Sequence, residues 1–391
     1  MTKITSVSVN VGGRDLKLEY GKFSEQANAA ILVTYGETMV HVTTVMGKSE
    51  TTLSYFPLSV DFAEKLYAGG KIKGSRWVKR DGRPSDEAVL KGRIIDRSIR
   101  PLFPKTVKRD VQVIATVLSA DGENDADMPG LVATSASLTV SDIPWEGPIA
   151  GVRVGIVDGV MIANPTYEQR KTSKLDLVVT GSAQAIVMVE AGANEVTEDE
   201  TLKAMQFAHE EIKKIVAVIL DLQKQIGKVK QEFIFVETIP AELRKEVTDK
   251  VRAGVAKKLG VRGAEDGLVE GFVSDLKDEY ESKLDSKQLG EIIHDVLAQE
   301  TRKTTIESEL RIDGRKLTEI RELEAEVDLL PRTHGSAMFK RGQTQVLSIA
   351  TLGAPSLGQI LETMESETVK HYIHHYAMPP YASGETGRFG P

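Results

Sequence analysis

A pattern close to the N-terminus comes back near the far end of the chain. Tyr35-Gly36-Glu37-Thr38-Met39-Val40, followed by Thr43-Thr44-Val45-Met46-Gly47, returns as Arg341-Gly342-Gln343-Thr344-Gln345-Val346 followed by Ile349-Ala350-Thr351-Leu352-Gly353, with identical spacing from first glycine to last. Self-similarity at this distance means that one supersecondary unit is built twice. Tyr55-Phe56-Pro57-Leu58-Ser59 pairs roughly with Tyr376-Ala377-Met378-Pro379-Pro380, so only the opening third of the second copy is present. The chain therefore reads as a fragment of a duplicated protein.

Between the copies the character of the sequence changes twice. Up to about Asp142, short β-prone runs such as Thr38–Met46 and Val111–Ser119 alternate with Gly and Asp turns, the mark of an α+β domain. Val152–Val157 and Val160–Ile162 flank Asp158-Gly159, a hairpin signal, and Leu175–Thr180 and Ile186–Glu190 flank Gly181-Ser182. Thr197-x-x-Glu200 is a capping box opening a long helix that stops at Gly227. The expected organisation is a first core over 1–226, a linker at 227–239, an all-helical domain over 240–308, and a new strand-rich core over 309–391 that starts with Arg311-Ile312-Asp313-Gly314-Arg315.

A chain of 391 residues with 41% hydrophobic and 27% charged residues holds enough apolar material for two or three cores. The absence of cysteine excludes disulfides, thiolate metal sites and cysteine nucleophiles, which fits a cytoplasmic protein. The longest apolar run, Ile215–Leu220, is far short of a membrane span, and no signal peptide is evident, so no membrane role is expected.

Charge is unevenly placed. From Lys71 to Arg109 there are thirteen Lys and Arg against four Asp and Glu, a local +9 on a chain whose total is −7. Ser85 caps a helix whose first turn carries Asp86 and Glu87. At helical spacing Ala88, Gly92, Ile95 and Ile99 share one face while Arg93, Arg97 and Arg100 lie on the other, flanked by Asp86 and Asp96. Such a row is either a solvated salt-bridge network or a phosphate-binding face. Upstream, Arg76-Trp77-Val78-Lys79-Arg80 sets an aromatic ring among cations after Gly69-Gly70, and Arg83 follows. A ring for stacking with cations for phosphates is what single-stranded nucleic acid requires.

Other motifs lead less far. His371-x-x-His374-His375 lies on a strand-like segment with no nearby carboxylate triad, which argues against a metal site, and Pro129–Ser137 is better read as the small-residue face of a packed helix than as a phosphate loop. No Walker loop, GxGxxG after a strand, or nucleophile elbow is found. Residue by residue, the chain is a nucleic-acid-binding, duplicated α+β protein.

At these residues the sequence resembles bacterial polynucleotide phosphorylase, or polyribonucleotide nucleotidyltransferase, over essentially its whole length. The resemblance is carried by Gly82-Arg83-Pro84, by Arg93–Pro104, by Arg311–Arg315, by Pro331-Arg332-Thr333-His334-Gly335-Ser336-Ala337-Met338-Phe339, and by Pro379–Gly387. It implies an α+β fold of two ribonuclease PH-like cores, the second truncated here, joined by an all-helical domain and assembled as a homotrimer around a channel. It further implies phosphate-dependent 3′→5′ exoribonuclease activity in mRNA degradation and RNA processing. That activity releases nucleoside diphosphates and is reversible, with inorganic phosphate as co-substrate and magnesium as cofactor. Single-stranded RNA and other RNA-decay proteins are the implied partners. The implied channel loop is Trp77-Val78-Lys79-Arg80, where one aromatic and one arginine of the family pattern are replaced.

With the resemblance, Trp77, Lys79, Arg80, Arg83, Arg93, Arg97 and Arg100 are the expected RNA-binding residues. No catalytic or metal residue is expected in this chain. The phosphate-binding serines, an arginine pair and the Mg2+ aspartates of the family would lie beyond Pro391, and the fragment alone would be inactive. The matching turn of the first core, Asp121-Gly122-Glu123-Asn124-Asp125, puts carboxylates where phosphate would sit, so that core should be silent. The alternative is a non-catalytic RNA-binding ring subunit on the same fold.

Overall fold

In the computed structural model, the described residues are 4–388 apart from 52, 54, 73, 75–81, 233–238, 256–267 and 281–282. Two compact units result: Met1–Ile234 together with Ser356–Pro391, and Phe235–Pro355.

In the first unit, β1 (Thr5–Val11), β2 (Arg14–Tyr20), β3 (Ala29–Tyr35), β4 (Thr38–Glu50), β5 (Leu58–Ala63) and β6 (Arg109–Ser119) form one sheet in the order β1-β2-β3-β4-β6-β5. Only the β5–β6 pair is parallel. β3 is buried along nearly its whole length, as its unbroken apolar run requires of a strand covered on both faces, whereas β1 alternates. The helices α1 (Asp86–Ile99) and α2 (Asp127–Val140) pack on this sheet. All of α2 is buried, including Ser135 and Ser137, so Pro129–Ser137 is indeed a packed small-residue helix.

β7 (Ala150–Val157), β8 (Val160–Ala163), β9 (Leu175–Gly181) and β10 (Ile186–Ala193) make a second sheet in the order β10-β9-β7-β8, with α3 (Tyr167–Thr172) between β8 and β9 in the chain. The β7–β8 turn is the anticipated hairpin: Asp158 and Gly159 both have positive φ, 50° and 79°, as a two-residue turn of this hand demands. α4 (Glu198–Ile226) opens on the expected capping box at Thr197 and Glu200. Its stripe Ala204, Ala208, Ile212, Ile215, Ile219 and Leu222 is buried in the same core as both sheets.

The second unit holds α5 (Ala241–Val255), α6 (Leu268–Tyr280) and α7 (Ser286–Ser308), with a separate core that includes Val247, Val251, Tyr280, Ile292 and Val296. A three-stranded antiparallel sheet follows, β11 (Leu323–Val327), β12 (Gly335–Arg341) and β13 (Thr344–Ala350). Among the described residues, no helix is long and apolar enough to cross a membrane.

The repeat is visible in three dimensions. The β3–β4 and β12–β13 turns both place a glycine at φ 61°, Gly36 and Gly342. Further along, however, the sequence pairing of Tyr55–Ser59 with Tyr376–Pro380 does not hold. The shared feature is a 3-10 turn ending in a left-handed glycine: Leu66–Gly69 with Gly70 at φ 68°, and Pro380–Ser383 with Gly384 at φ 75°. Gly47 and Gly70 are 23 positions apart, while Gly353 and Gly384 are 31 apart. The surplus of the second copy is taken up by a hairpin, β14 (Gln359–Glu362) and β15 (Glu367–Lys370), which belongs to the first compact unit.

Candidate nucleic-acid interface

The basic element is organised by α1. Ser85 Oγ accepts from the Ala88 amide at 3.0 Å and donates to Glu64 at 3.1 Å, so the cap is itself held from the sheet side. Ala88, Gly92, Ile95 and Ile99 are buried, and a Cβ on Gly92 would lie 3.3 Å from the Val60 carbonyl oxygen, which explains a glycine where helix and β5 approach. Arg93, Arg97 and Arg100 are exposed on the other face.

Their guanidinium groups are not equally available. Arg97 is paired with Glu190 of β10. Arg100 holds Asp96 at 2.6 Å and donates to the carbonyls of Phe56 at 3.2 Å and Leu58 at 3.1 Å, tying the end of α1 to the start of β5. Arg93 and Arg83 are exposed and have no ion-pair partner among the described residues. The arginine row is thus part structural network and part free cation. Trp77, Lys79 and Arg80 lie outside the described residues.

On the opposite side of α1 a residue that the sequence reading passed over becomes central. Lys91 lies on the apolar stripe, only 9% exposed, with its ammonium 3.0 Å from Glu64, 3.1 Å from Asp125 and 3.4 Å from Glu365. Burial alone would lower the affinity of Lys91 for its proton, but Asp125, Glu64 and Glu365 outweigh burial and keep it charged well above the ordinary range. Burial likewise raises Asp125, yet Lys91, Arg153 and Arg170 bring it down to about 2. Burial raises Glu365 despite Lys91 and the hydroxyl of Tyr167, which donates to it. The sequence signal for Lys91 was available, since a lysine on an apolar helical stripe has to be paired. Glu365 offered none, because its partners lie some two hundred residues or more earlier in the chain.

The Asp121–Asp125 turn is built from the same chemistry. The Asp121 carboxylate accepts from the amides of Glu123 and Asn124 at 2.8 Å and Glu37 at 3.1 Å, and from Asn124 Nδ2 at 2.6 Å. Burial pushes Asp121 up and these hydrogen bonds overcome it, so its pKa falls below the usual carboxylate value. Asp125 also takes Arg170 at 2.9 Å, and Arg153 is bound by Asp127 and Asp176. Lys91, Arg153 and Arg170 are therefore matched by the protein's own carboxylates, whereas Arg14 donates to Asn124 Oδ1 at 2.6 Å and to the Asn164 carbonyl at 2.7 Å.

This architecture agrees with comparisons to known proteins. The pattern described as "3′ exoribonuclease family, domain 1" (RNase PH) matches residues 12–144 and again 319–391, and its "domain 2" matches 147–211. The chain is 45% identical over 383 residues to the polyribonucleotide nucleotidyltransferase of Alkaliphilus oremlandii, covering 96% of this chain and 54% of that protein. It is 45% identical over 385 residues to the namesake of Geobacillus kaustophilus, covering 97% and 53%. An Archaeoglobus fulgidus exosome with RNA bound to the active site aligns at 18% identity with a TM-score of 0.41, covering 55% of this chain and 86% of that one. The chain spans about half the length of the curated relatives it matches. With domain 1 matched twice around domain 2, as the internal repeat requires, this chain belongs to the 3′ exoribonuclease family of ribonuclease PH type.

Proposed function

We propose that this chain supplies the RNA-channel core of a phosphate-dependent 3′→5′ exoribonuclease. The enzyme releases nucleoside diphosphates from single-stranded RNA and runs reversibly as a polymerase in mRNA degradation and RNA processing. The observation that carries the reading is the double match of the exoribonuclease domain 1, with the +9 basic element inside the first copy. Trp77, Lys79, Arg80, Arg83 and Arg93 contact RNA, with Arg97 and Arg100 mainly shaping the face. The assembly is a homotrimer in the cytoplasm that works with other RNA-decay proteins.

Phosphorolysis needs phosphate held in line with the terminal linkage and its developing charge neutralised. The described carboxylates do not suit Mg2+: Glu64, Asp125 and Glu365 converge on the Lys91 ammonium, and Asp121 is saturated by amides. The first core is silent on this reading, and the groups that bind phosphate and Mg2+ lie outside residues 1–391. What the present residues do is bind and orient the strand.

The test is release of nucleoside diphosphates from labelled RNA with phosphate and Mg2+. The 391-residue chain alone is expected to show none while still binding RNA. Phosphate-dependent turnover by that chain, abolished by Glu123→Ala at the exposed turn, would overturn the assignment. Failure of the full-length protein to turn over would leave the non-catalytic ring subunit as the function.

A further inference from the structure

Residues 359–370 belong by sequence to the second match of domain 1 and by packing to the first compact unit. The β14–β15 hairpin thus comes from one copy and seats its tip on the other. Met364 is 3% exposed and lies in the apolar cluster of the first core. A Cβ on Gly69 would fall 2.0 Å from the Met364 carbonyl oxygen, so the two backbones meet where a glycine leaves room. Around the tip, Glu362 accepts from the Gly74 amide at 3.0 Å, Lys71 Nζ donates to the Thr363 carbonyl at 3.4 Å, and Lys370 lies 3.5 Å from Asp86. A two-stranded hairpin is marginal by itself in water, so this seat is what keeps the element ordered.

Beside Met364 the seat carries a charge imbalance. Glu365 enters a space that already holds Lys91 from α1, Glu64 from just after β5, Asp125 from the turn before α2 and Tyr167 from α3. Three carboxylates share one ammonium, and they are not equally served. Asp125 also has Arg170 at 2.9 Å, and Glu64 approaches Lys91 to 3.0 Å and accepts from Ser85. Glu365 has the longest contact with Lys91, 3.4 Å, and its other donor is the uncharged Tyr167 hydroxyl. It therefore loses least by taking a proton, and burial raises its pKa in spite of Lys91. Away from the core the same carboxyl would stand in water. We propose that the β14–β15 hairpin is a proton-linked strap: Glu365 takes up a proton as the tip docks, so that acid fastens the hairpin to the first core. The sign follows from linkage. A carboxyl raised in the docked state favours docking fully below its solvated value, and that contribution fades as pH rises through the docked value. Across this window Asp125, held at about 2, stays ionised and Lys91 stays charged, so neither cancels the effect.

Hydrogen exchange of the 359–370 amides in the purified protein reads docking, expressed at each pH as protection relative to the intrinsic exchange rate. Protection at pH 5 should be about 3- to 10-fold greater than at pH 7.5, since one proton changes the equilibrium by at most about tenfold per pH unit. Glu365→Gln keeps the size of the side chain and an acceptor for Tyr167 but cannot titrate, so its protection should be the same at both pH values. Lys370→Ala removes the exposed pair with Asp86, the other ionic contact of the hairpin with α1, and should leave the pH ratio as in the wild type. The amides of β9, buried in the same core, are the reference for global opening. A wild-type ratio of one, or protection that rises toward pH 7.5, overturns the proposal. So does a ratio that survives Glu365→Gln or vanishes in Lys370→Ala, because the proton would then sit elsewhere. An equal ratio at β9 also overturns it, because the whole core and not the strap would be responding.

Discussion

Replacing Lys91 by Met keeps the aliphatic stem that packs near Phe62 and deletes the charge. Three carboxylates then face one another across the vacated ammonium position. Removing one partner from a buried ion pair costs about 3–5 kcal/mol, because the remaining charge is left without water or counter-ion. All three keep other donors, Arg170 at 2.9 Å for Asp125, Ser85 at 3.1 Å for Glu64 and the Tyr167 hydroxyl for Glu365, which sets the expectation at the low end, about 3 kcal/mol at pH 7. The pH dependence gives the argument its sign. Asp125 is held at about 2, below its unfolded value of 3.8, so it contributes stability above the unfolded value that is lost as pH falls through the folded one. Without Lys91 that contribution shrinks, and protonation relieves the repulsion instead. The gap between wild type and variant should therefore narrow between about pH 5 and pH 2. Glu365 is raised by burial and acts in the opposite sense, its stability present at low pH and lost as pH rises through its folded value, so it softens the wild-type acid loss without reversing it. Urea unfolding followed by the fluorescence of Trp145, which is buried in the first core, reads the effect in a Trp77→Phe background. A loss below about 1 kcal/mol at pH 7, the size of a surface pair, would refute the reasoning. So would a gap that widens on acidification.

The RNA-facing residues separate by kind. Removing Lys79, Arg80 and Arg83 should weaken all RNA sequences alike and flatten the salt slope by up to about one unit per contact. Trp77→Ala should cost about 1–3 kcal/mol of binding with little change of slope, because a ring releases no counter-ions; filter binding at several salt concentrations reads both. Arg100→Ala should lower the thermal stability of the first core by about 1 kcal/mol through its lost carbonyl and Asp96 bonds, whereas Arg93→Ala should leave the melting temperature unchanged and reduce affinity. Trypsin should cut within 311–355 before it reaches the docked hairpin at 359–370, since β11 and β13 are exposed along their whole length and Met364 is buried; prior cleavage after Lys370 would contradict that.

How much of this was legible in the sequence depends on the range of the interactions. Ser85, Thr197 and Asp158-Gly159 were readable because a cap or a two-residue turn is a local contract between side chain and backbone. The buried face of α1 followed from its period, and the exposure of Arg93, Arg97 and Arg100 with it. What those arginines bind was not readable, because Arg97 meets Glu190 and Arg100 meets the carbonyls of Phe56 and Leu58, contacts fixed by the tertiary fold. The pairing of the repeat failed for a related reason. Tyr55–Ser59 and Tyr376–Pro380 look alike in composition, but the inserted hairpin moves the equivalent turn further along, and only backbone dihedrals at Gly70 and Gly384 restore the alignment.

The two copies have kept the same turns and diverged in what surrounds them. A glycine with positive φ at each β-turn, Gly36 and Gly342, and at the end of each 3-10 turn, Gly70 and Gly384, is a backbone requirement that either copy loses only with its fold. Charge carries no such requirement. In the first copy, Lys91 and Arg170 face Asp125, and Arg153 faces Asp127 and Asp176, so these three cations are neutralised by carboxylates of the chain itself, while Arg14 is engaged by Asn124 Oδ1 and the Asn164 carbonyl. An anion entering there would meet Asp121 and Asp125 and would have to separate buried ion pairs to gain Lys91, Arg153 or Arg170 as a partner, which costs more than the new contacts return. Among the described residues, the anion that reaches Lys91 from outside the first copy is Glu365, covalently delivered by the second. A site unsuited to a free ligand is thereby suited to a tethered one, because tethering removes the entropic cost of bringing the charge in.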